Sequence, residues 1–183
     1  MRIVGGKHKG RKLISPKDQK VRPTSDRVKE ALFNIIQNDI YNSFFLDLFS
    51  GTGSVGLEAI SRGAKVTFCD KNIPSIKLIK ANLELINEKA DVLNLDAFAC
   101  IRFLYEKNQK YDFIFIDPPY LDNYEYDILQ SLLKYPIMNR NSKIIIEHLT
   151  NKDLMFDQNY YNIINTKRYG NTQLTFLSYM ENL

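Results

Sequence analysis

Two stretches of the chain carry residue types from which a group-transfer site could be built. In IFIDPPYLD, residues 114–122, three residues suited to a buried strand run into Asp117, Pro118, Pro119 and Tyr120. Neither proline can donate to a sheet ladder and each holds φ at about −65°, so the strand must stop there. A carboxylate, the Pro118 carbonyl and an aromatic ring are then presented on a stiff turn. An amine conjugated to a purine ring is a poor nucleophile because its lone pair is delocalised. If Asp117 and the Pro118 carbonyl each accept one amine proton, that lone pair is turned toward an electrophile, and Tyr120 can stack on the base. The expected catalytic set is Asp117, Pro118 and Tyr120, needing neither a metal nor a covalent intermediate.

The second stretch is DLFSGTGSVG, residues 47–56, where Gly51, Gly53 and Gly56 keep G-x-G-x-x-G spacing between a strand-like and a helix-like segment. Such a loop suits a dinucleotide or S-adenosylmethionine equally well. Asp70, closing the next strand, can accept the hydroxyls of an adenosine ribose in either case. Asp47 discriminates: just before the glycines, its charge would repel a pyrophosphate and attract the ammonium of a methionine moiety. S-Adenosylmethionine is therefore the expected cofactor. Its site is expected to use Asp47, Phe49, Ser50, Gly51, Thr52 and Gly53 from the first loop, and Asp70 with Lys71 from the second. Asp96 and Ala97 would read the adenine edge, although Asp96 could equally well only cap a helix. No cysteine lies near Asp117, which argues against thiolate attack on a pyrimidine carbon and for a nitrogen target.

The elements that must position these groups follow from hydrophobic periodicity. Strands are expected at 44–49, 65–70, 91–96, 111–117 and 143–149, alternating with helices near 54–62, 73–88, 97–107 and 125–135. Ile73, Ile76, Ile79, Leu83 and Ile86 form the apolar face expected of the second of these helices. Pro23-Thr24-Ser25 precedes a further amphipathic helix, with Thr24 or Ser25 as N-cap and Asp26 in the first turn. Two last strands, 160–167 and 173–180, flank Tyr169-Gly170-Asn171 with no helix between them and should pair antiparallel at a sheet edge. The expected fold is α/β: a Rossmann-like, mostly parallel seven-stranded sheet with an antiparallel C-terminal edge hairpin. A small basic N-terminal β-hairpin and a helix precede it.

At 183 residues, with 44% hydrophobic and 25% charged, the chain fits one globular domain. The start has no apolar signal-like run and no stretch is long enough to span a bilayer, so a cytoplasmic protein is expected. Cys69 and Cys100 make no metal-ligand pair and should pack as small apolar residues. The net charge of +4 is unevenly spread: residues 1–30 hold ten Lys/Arg against three acids, leaving the remainder net negative. Glycines and apolar residues interrupt this basic run, as in a folded platform for a polyanion. Residues 1–22 are expected to form a polyanion-binding arm and 23–183 the catalytic domain, together one structural unit. Removing the first 20 residues is expected to weaken polyanion binding and leave cofactor affinity nearly unchanged. His8 reads as a solvent-facing side chain, and Glu147-His148 as a satisfied strand-end pair.

These stretches resemble the S-adenosylmethionine-dependent amino-methyltransferases with a D/N-P-P-Y/F motif. More narrowly, the chain is similar to the bacterial guanine-N2 methyltransferases of small-subunit ribosomal RNA, which modify one guanine of 16S RNA. The likeness covers MRIVGGKHKGRKL, VRPTSDRVKEALFNI, DLFSGTGSVGLEAISRGA, IFIDPPY and RYGNTQLTF. Ser50 and Thr52 depart slightly, the family often having alanine and serine there. The resemblance implies that Gly51, Gly53, Asp70, Asp96 and Asp117 line one crevice and that Arg22, Pro23 and Thr24 close over it. It also implies contact of 16S rRNA with Arg2, Lys7, Lys9, Arg11, Lys12, Arg22, Pro23 and Arg27. A 30S subunit or assembly intermediate would be the substrate of a monomeric enzyme, with no membrane partner. Three other readings stay open: an adenine-N6 methyltransferase, a nicotinamide-dependent oxidoreductase, and a non-catalytic RNA-binding assembly factor.

Overall fold

A computed structural model describes residues 1–16, 24–119 and 124–180. Helix α1 (Asp26–Ile35) starts at Ser25, whose hydroxyl accepts from the Val28 N–H, with Asp26 in the first turn. The chain then alternates through β1 (Phe44–Asp47), α2 (Ser54–Ser61), β2 (Lys65–Cys69), α3 (Ile73–Leu85), β3 (Asp91–Leu93), α4 (Ala97–Glu106), β4 (Tyr111–Ile116) and α5 (Tyr124–Lys134). It ends with β5 (Met138–Leu149), β6 (Tyr161–Tyr169) and β7 (Thr172–Tyr179). Asn87 and Asn108, both with φ of 54°, stop α3 and α4 in the left-handed conformation that asparagine tolerates.

The seven strands order as β3-β2-β1-β4-β5-β7-β6. The first five are parallel, and β7 runs antiparallel to both β5 and β6. The strand order reverses between β1 and β4, which opens a crevice at their carboxyl ends. Alternation along β4 divides the core. Phe113 and Phe115 pack with Phe33, Phe45, Phe68 and Ile79 on the side of α1, α2 and α3, whereas Ile114 and Ile116 pack with Ile101, Leu104, Ile128 and Leu132 of α4 and α5. Both faces of the sheet are thereby covered, as parallel strands require.

Several boundaries differ from those read in the sequence. β3 ends at Leu93 instead of Asp96, and β5 begins at Met138, extending back past a register shift opposite Tyr111 and Phe113. Ile73, expected on the apolar face of α3, is 57% exposed, because the first residue of the helix lies beyond the end of the strand it would pack on.

The N-terminal arm folds back through a single antiparallel bridge, Arg2 to Lys12, rather than a regular ladder. Ile3 and Leu13 are buried in the core with α1 and α2. The Val4 N–H donates to Glu58, the Ser61 hydroxyl donates to the Gly5 carbonyl, and Ile14 exchanges two hydrogen bonds with the Asn82 amide. The arm is therefore stitched to α2 and α3. Lys29, counted in the basic run, is fully buried and donates to the Arg2 carbonyl, so it braces the arm from within.

Candidate active site

A cavity of about 270 Å³ lies at the switch point between β1 and β4. Its floor is the loop after β1. Gly53, with φ of 75°, starts α2 in a conformation that a side chain would strain. Gly56 lies so near Phe68 that a Cβ would sit 2.2 Å from the ring, so α2 can approach β2 only without one. This close approach lets the Gly56 N–H reach Oδ2 of Asp47 at 3.0 Å. Asp47, the last residue of β1, is 1% exposed, and burial pushes its carboxyl from the ordinary 3.8 to about 7, with the charge of Asp70 adding to the rise and the Gly56 hydrogen bond opposing it.

Asp70 follows β2. Its Oδ2 accepts from the Gly51 N–H at 2.8 Å and its Oδ1 from the Asn72 N–H at 2.7 Å. A carboxylate has about four lone-pair sites, so both oxygens keep capacity for ligand hydroxyls. Ser50 turns inward: its Oγ donates to the Asp47 carbonyl at 2.6 Å and accepts from the Cys69 N–H at 2.9 Å. It clamps β1 to β2 while bordering the cavity. Asp96 performs the capping role considered from the sequence, its Oδ1 accepting from the N–H groups of Phe98 and Ala99 at 3.0 Å, and it also borders the cavity. Thr24, Phe49, Gly51, Thr52, Lys71 and Ala97 border the same space.

Asp117 stands directly after β4 and also faces the cavity. Burial, then the charges of Glu147 and Asp47, raise its carboxyl well above the ordinary range. Pro118 is buried and Pro119 borders the cavity. Tyr120, Arg22 and Pro23 lie outside the described residues.

Some lining residues were not singled out from the sequence. Tyr124, at the start of α5, meets Phe49 edge-on at 5.9 Å and Phe98 at 5.6 Å, forming an aromatic wall. A second aromatic, five positions after Pro119, was the available signal. Glu147 is buried and accepts from the Thr24 hydroxyl at 3.3 Å, whereas its neighbour His148 is satisfied as expected, by Thr175 and the Leu149 carbonyl. Burial lowers the His148 pKa. His8 is not solvent-facing: its Nε2 lies 2.7 Å from Glu88, which Lys7 also meets at 2.7 Å. Burial opposes ionisation of Glu88, but the bonds from Lys7 and His8 outweigh it and hold its carboxyl below the ordinary range.

The proposed RNA-contacting cations lie elsewhere on the surface. Arg2 pairs with Asp26 at 2.8 Å and Arg11 donates to the Leu85 carbonyl at 3.0 Å. Arg27 sits 5.8 Å over the Tyr169 ring, while Lys9 and Lys12 are exposed. None of these five borders the cavity, nor does Lys7. The cysteines are free and buried, and the hydrogen bond with Cys100, then burial, pushes the Cys69 thiol up, so neither is a ready nucleophile. Among the described residues no acidic, histidine and cysteine cluster could hold a metal, and no helix is long and apolar enough to cross a membrane.

Four acids, Asp47, Asp70, Asp96 and Asp117, thus surround a cavity whose only lining cation among the described residues is Lys71. That donor set fits a nucleoside bearing positive charge and opposes a pyrophosphate. Fold and cavity, with the relatives named below, define the class: a methyltransferase of the Rossmann-like kind. Over residues 1–178 the chain matches the family described as Conserved hypothetical protein 95, and it belongs to that family. Ribosomal RNA small subunit methyltransferase D of Haemophilus influenzae is 35% identical over 165 residues, covering 87% of this chain and 84% of that one. The Escherichia coli K12 protein of the same name is 41% identical over 123 residues, 66% and 60% of the two chains. The solved structure of Escherichia coli yhhF superposes with a TM-score of 0.87 at 27% identity, covering 100% of this chain and 99% of that one.

Proposed function

We propose that the protein methylates the exocyclic N2 of a guanine in 16S ribosomal RNA, within a 30S subunit or an assembly intermediate, and acts as a monomer. The observation that carries the reading is the placement of Asp117 and Pro119 across the switch point from Asp47, on one acid-lined cavity. The names of the Haemophilus influenzae and Escherichia coli relatives support ribosomal RNA as the substrate class.

When bound, S-adenosylmethionine supplies an electrophilic methyl group. Asp47 would hold its ammonium, directly or through water, Asp70 would receive the ribose hydroxyls, and Asp96 with Ala97 would read the adenine edge. Asp117 and the Pro118 carbonyl accept the two protons of the target amine and aim its lone pair across the cavity, while Tyr120 stacks on the flipped base. The exposed cations of the arm grip the phosphates.

The test supplies labelled S-adenosylmethionine and small ribosomal subunits from cells lacking the enzyme, followed by nucleoside digestion. Label in N2-methylguanosine is the expected result. Label in N6-methyladenosine would keep the chemistry and replace the base. Absence of label despite demonstrated cofactor binding would refute the substrate assignment.

A further inference from the structure

The sheet brings an acid to Asp117 that its own motif does not contain. β4 and β5 run parallel with Ile116 opposite Ile146, so the next residues, Asp117 and Glu147, lie in register at adjacent strands. Glu147 is 8% exposed, and its Oε2 accepts from Thr24, a residue of the cavity wall. Two carboxylates in one low-dielectric crevice resist joint ionisation. Among the described residues, the other ionisable groups of the cavity are Asp47 from β1, Asp70 and Lys71 after β2, Asp96 before α4 and Tyr124 of α5. After burial, Glu147 and Asp47 are the charges that raise the proton affinity of Asp117.

We propose that Glu147 is a positioning residue for methyl transfer, holding together with Asp117 the proton that the target amine gives up. The proposal rests on the amine-methylation reading above. As the nitrogen lone pair bonds to the methyl carbon, the carbon–sulfur bond breaks, its electron pair goes to sulfur, and the sulfonium becomes a neutral thioether. The nitrogen, now cationic, loses a proton, and the N–H electron pair returns to it. Before this step, positive charge in the cavity offsets the repulsion between Asp117 and Glu147. Afterwards that charge is gone, so Asp117 binds a proton at the moment the amine releases one, and the charge of Glu147 keeps it there.

Carbon-13 NMR of side-chain carboxyls, recorded against pH on the full chain, tests this without turnover, with Asp117→Asn identifying the signal. In the wild type, the Asp117 signal should titrate above the ordinary carboxyl range. In Glu147→Gln it should titrate lower by about one pH unit or more. Thr24→Val keeps the carboxylate and removes only the hydrogen bond, so its Asp117 titration should match the wild type. S-Adenosylmethionine should lower the wild-type titration and S-adenosylhomocysteine should leave it high. An Asp117 titration that is the same with and without Glu147, or a Thr24→Val variant that reproduces the shift, would overturn the proposal and reduce Glu147 to a tether. Should Glu147→Gln fail to fold, Glu147→Asp withdraws the charge by one methylene and should shift the signal less in the same direction; no shift again refutes the coupling. A wild type that yields no methylated nucleoside while Asp117 still responds to Glu147 refutes the parent reading and leaves the coupling standing.

Discussion

Asp47, buried, and Asp117, half-buried, are carboxylates on one cavity, yet substitution should separate their roles. On the proposed mechanism Asp117→Ala removes the acceptor for the amine and should lower kcat about 10²–10³-fold, with cofactor affinity largely kept, as single-turnover kinetics and calorimetry would show. Asp47→Asn should behave oppositely in stability and binding. The folded carboxyl titrates at about 7 against an ordinary 3.8. The unfolded chain therefore releases a proton above pH 4 that the folded chain still holds. The stability this group contributes is complete below about pH 4 and is lost as pH rises through about 7, on the order of 4 kcal/mol in total. The ligand-free Asp47→Asn protein should melt higher than the wild type at pH 8, the difference should vanish toward pH 4, and S-adenosylmethionine should bind it more weakly. A wild-type melting temperature flat across that range, after correction by the variant, would contradict the assignment.

At the level of elements, the loop after β1 depends on contact between α2 and β2. Gly56→Ala places a methyl group into the Phe68 ring, and the helix must retreat or Phe68 must shift. A loss of about 1–3 kcal/mol in chemical denaturation is expected, with weaker cofactor binding as the Gly56 to Asp47 hydrogen bond lengthens. Residues that end strands were legible in the sequence, because apolar runs closing in Asp47, Asp70 and Asp117 fall at one edge of any parallel sheet. Asp96 follows a strand that stops earlier, yet still reaches the cavity as a helix cap. Side-chain direction was less legible. Nothing in the glycine loop says that the hydroxyl of Ser50 turns to the backbone of β1 and β2, and the aromatic wall of Phe49, Phe98 and Tyr124 comes from three separate elements. Glu147 beside Asp117 depends on strand register, which single-sequence patterning does not supply.

The whole molecule revises the expectation for the arm. Its deletion would strip Ile3 and Leu13 from the core, where a fully buried large aliphatic side chain is worth about 1.5–3 kcal/mol. Removal of residues 1–14 should therefore lower the melting temperature and cofactor affinity together. Lys9→Ala with Lys12→Ala leaves that packing alone and should weaken RNA binding nearly uniformly across sequences. The slope of log affinity against log salt should become shallower by about one for each phosphate that a lysine no longer neutralises. An unchanged slope would remove these two lysines from the interface.

The hydrogen bonds of the arm also order events in time. Residues 4–14 bond to Glu58, Ser61, Asn82, Leu85 and Glu88, partners that leave the ribosome more than 50 positions later. A nascent chain consequently carries its positive charge on a loose leader until α2 and α3 have emerged and folded. Only then are Lys9 and Lys12 fixed in relation to the cavity. If these lysines hold nucleic acid as proposed, that grip is assembled by folding itself, and an incomplete chain retains the charge without the geometry.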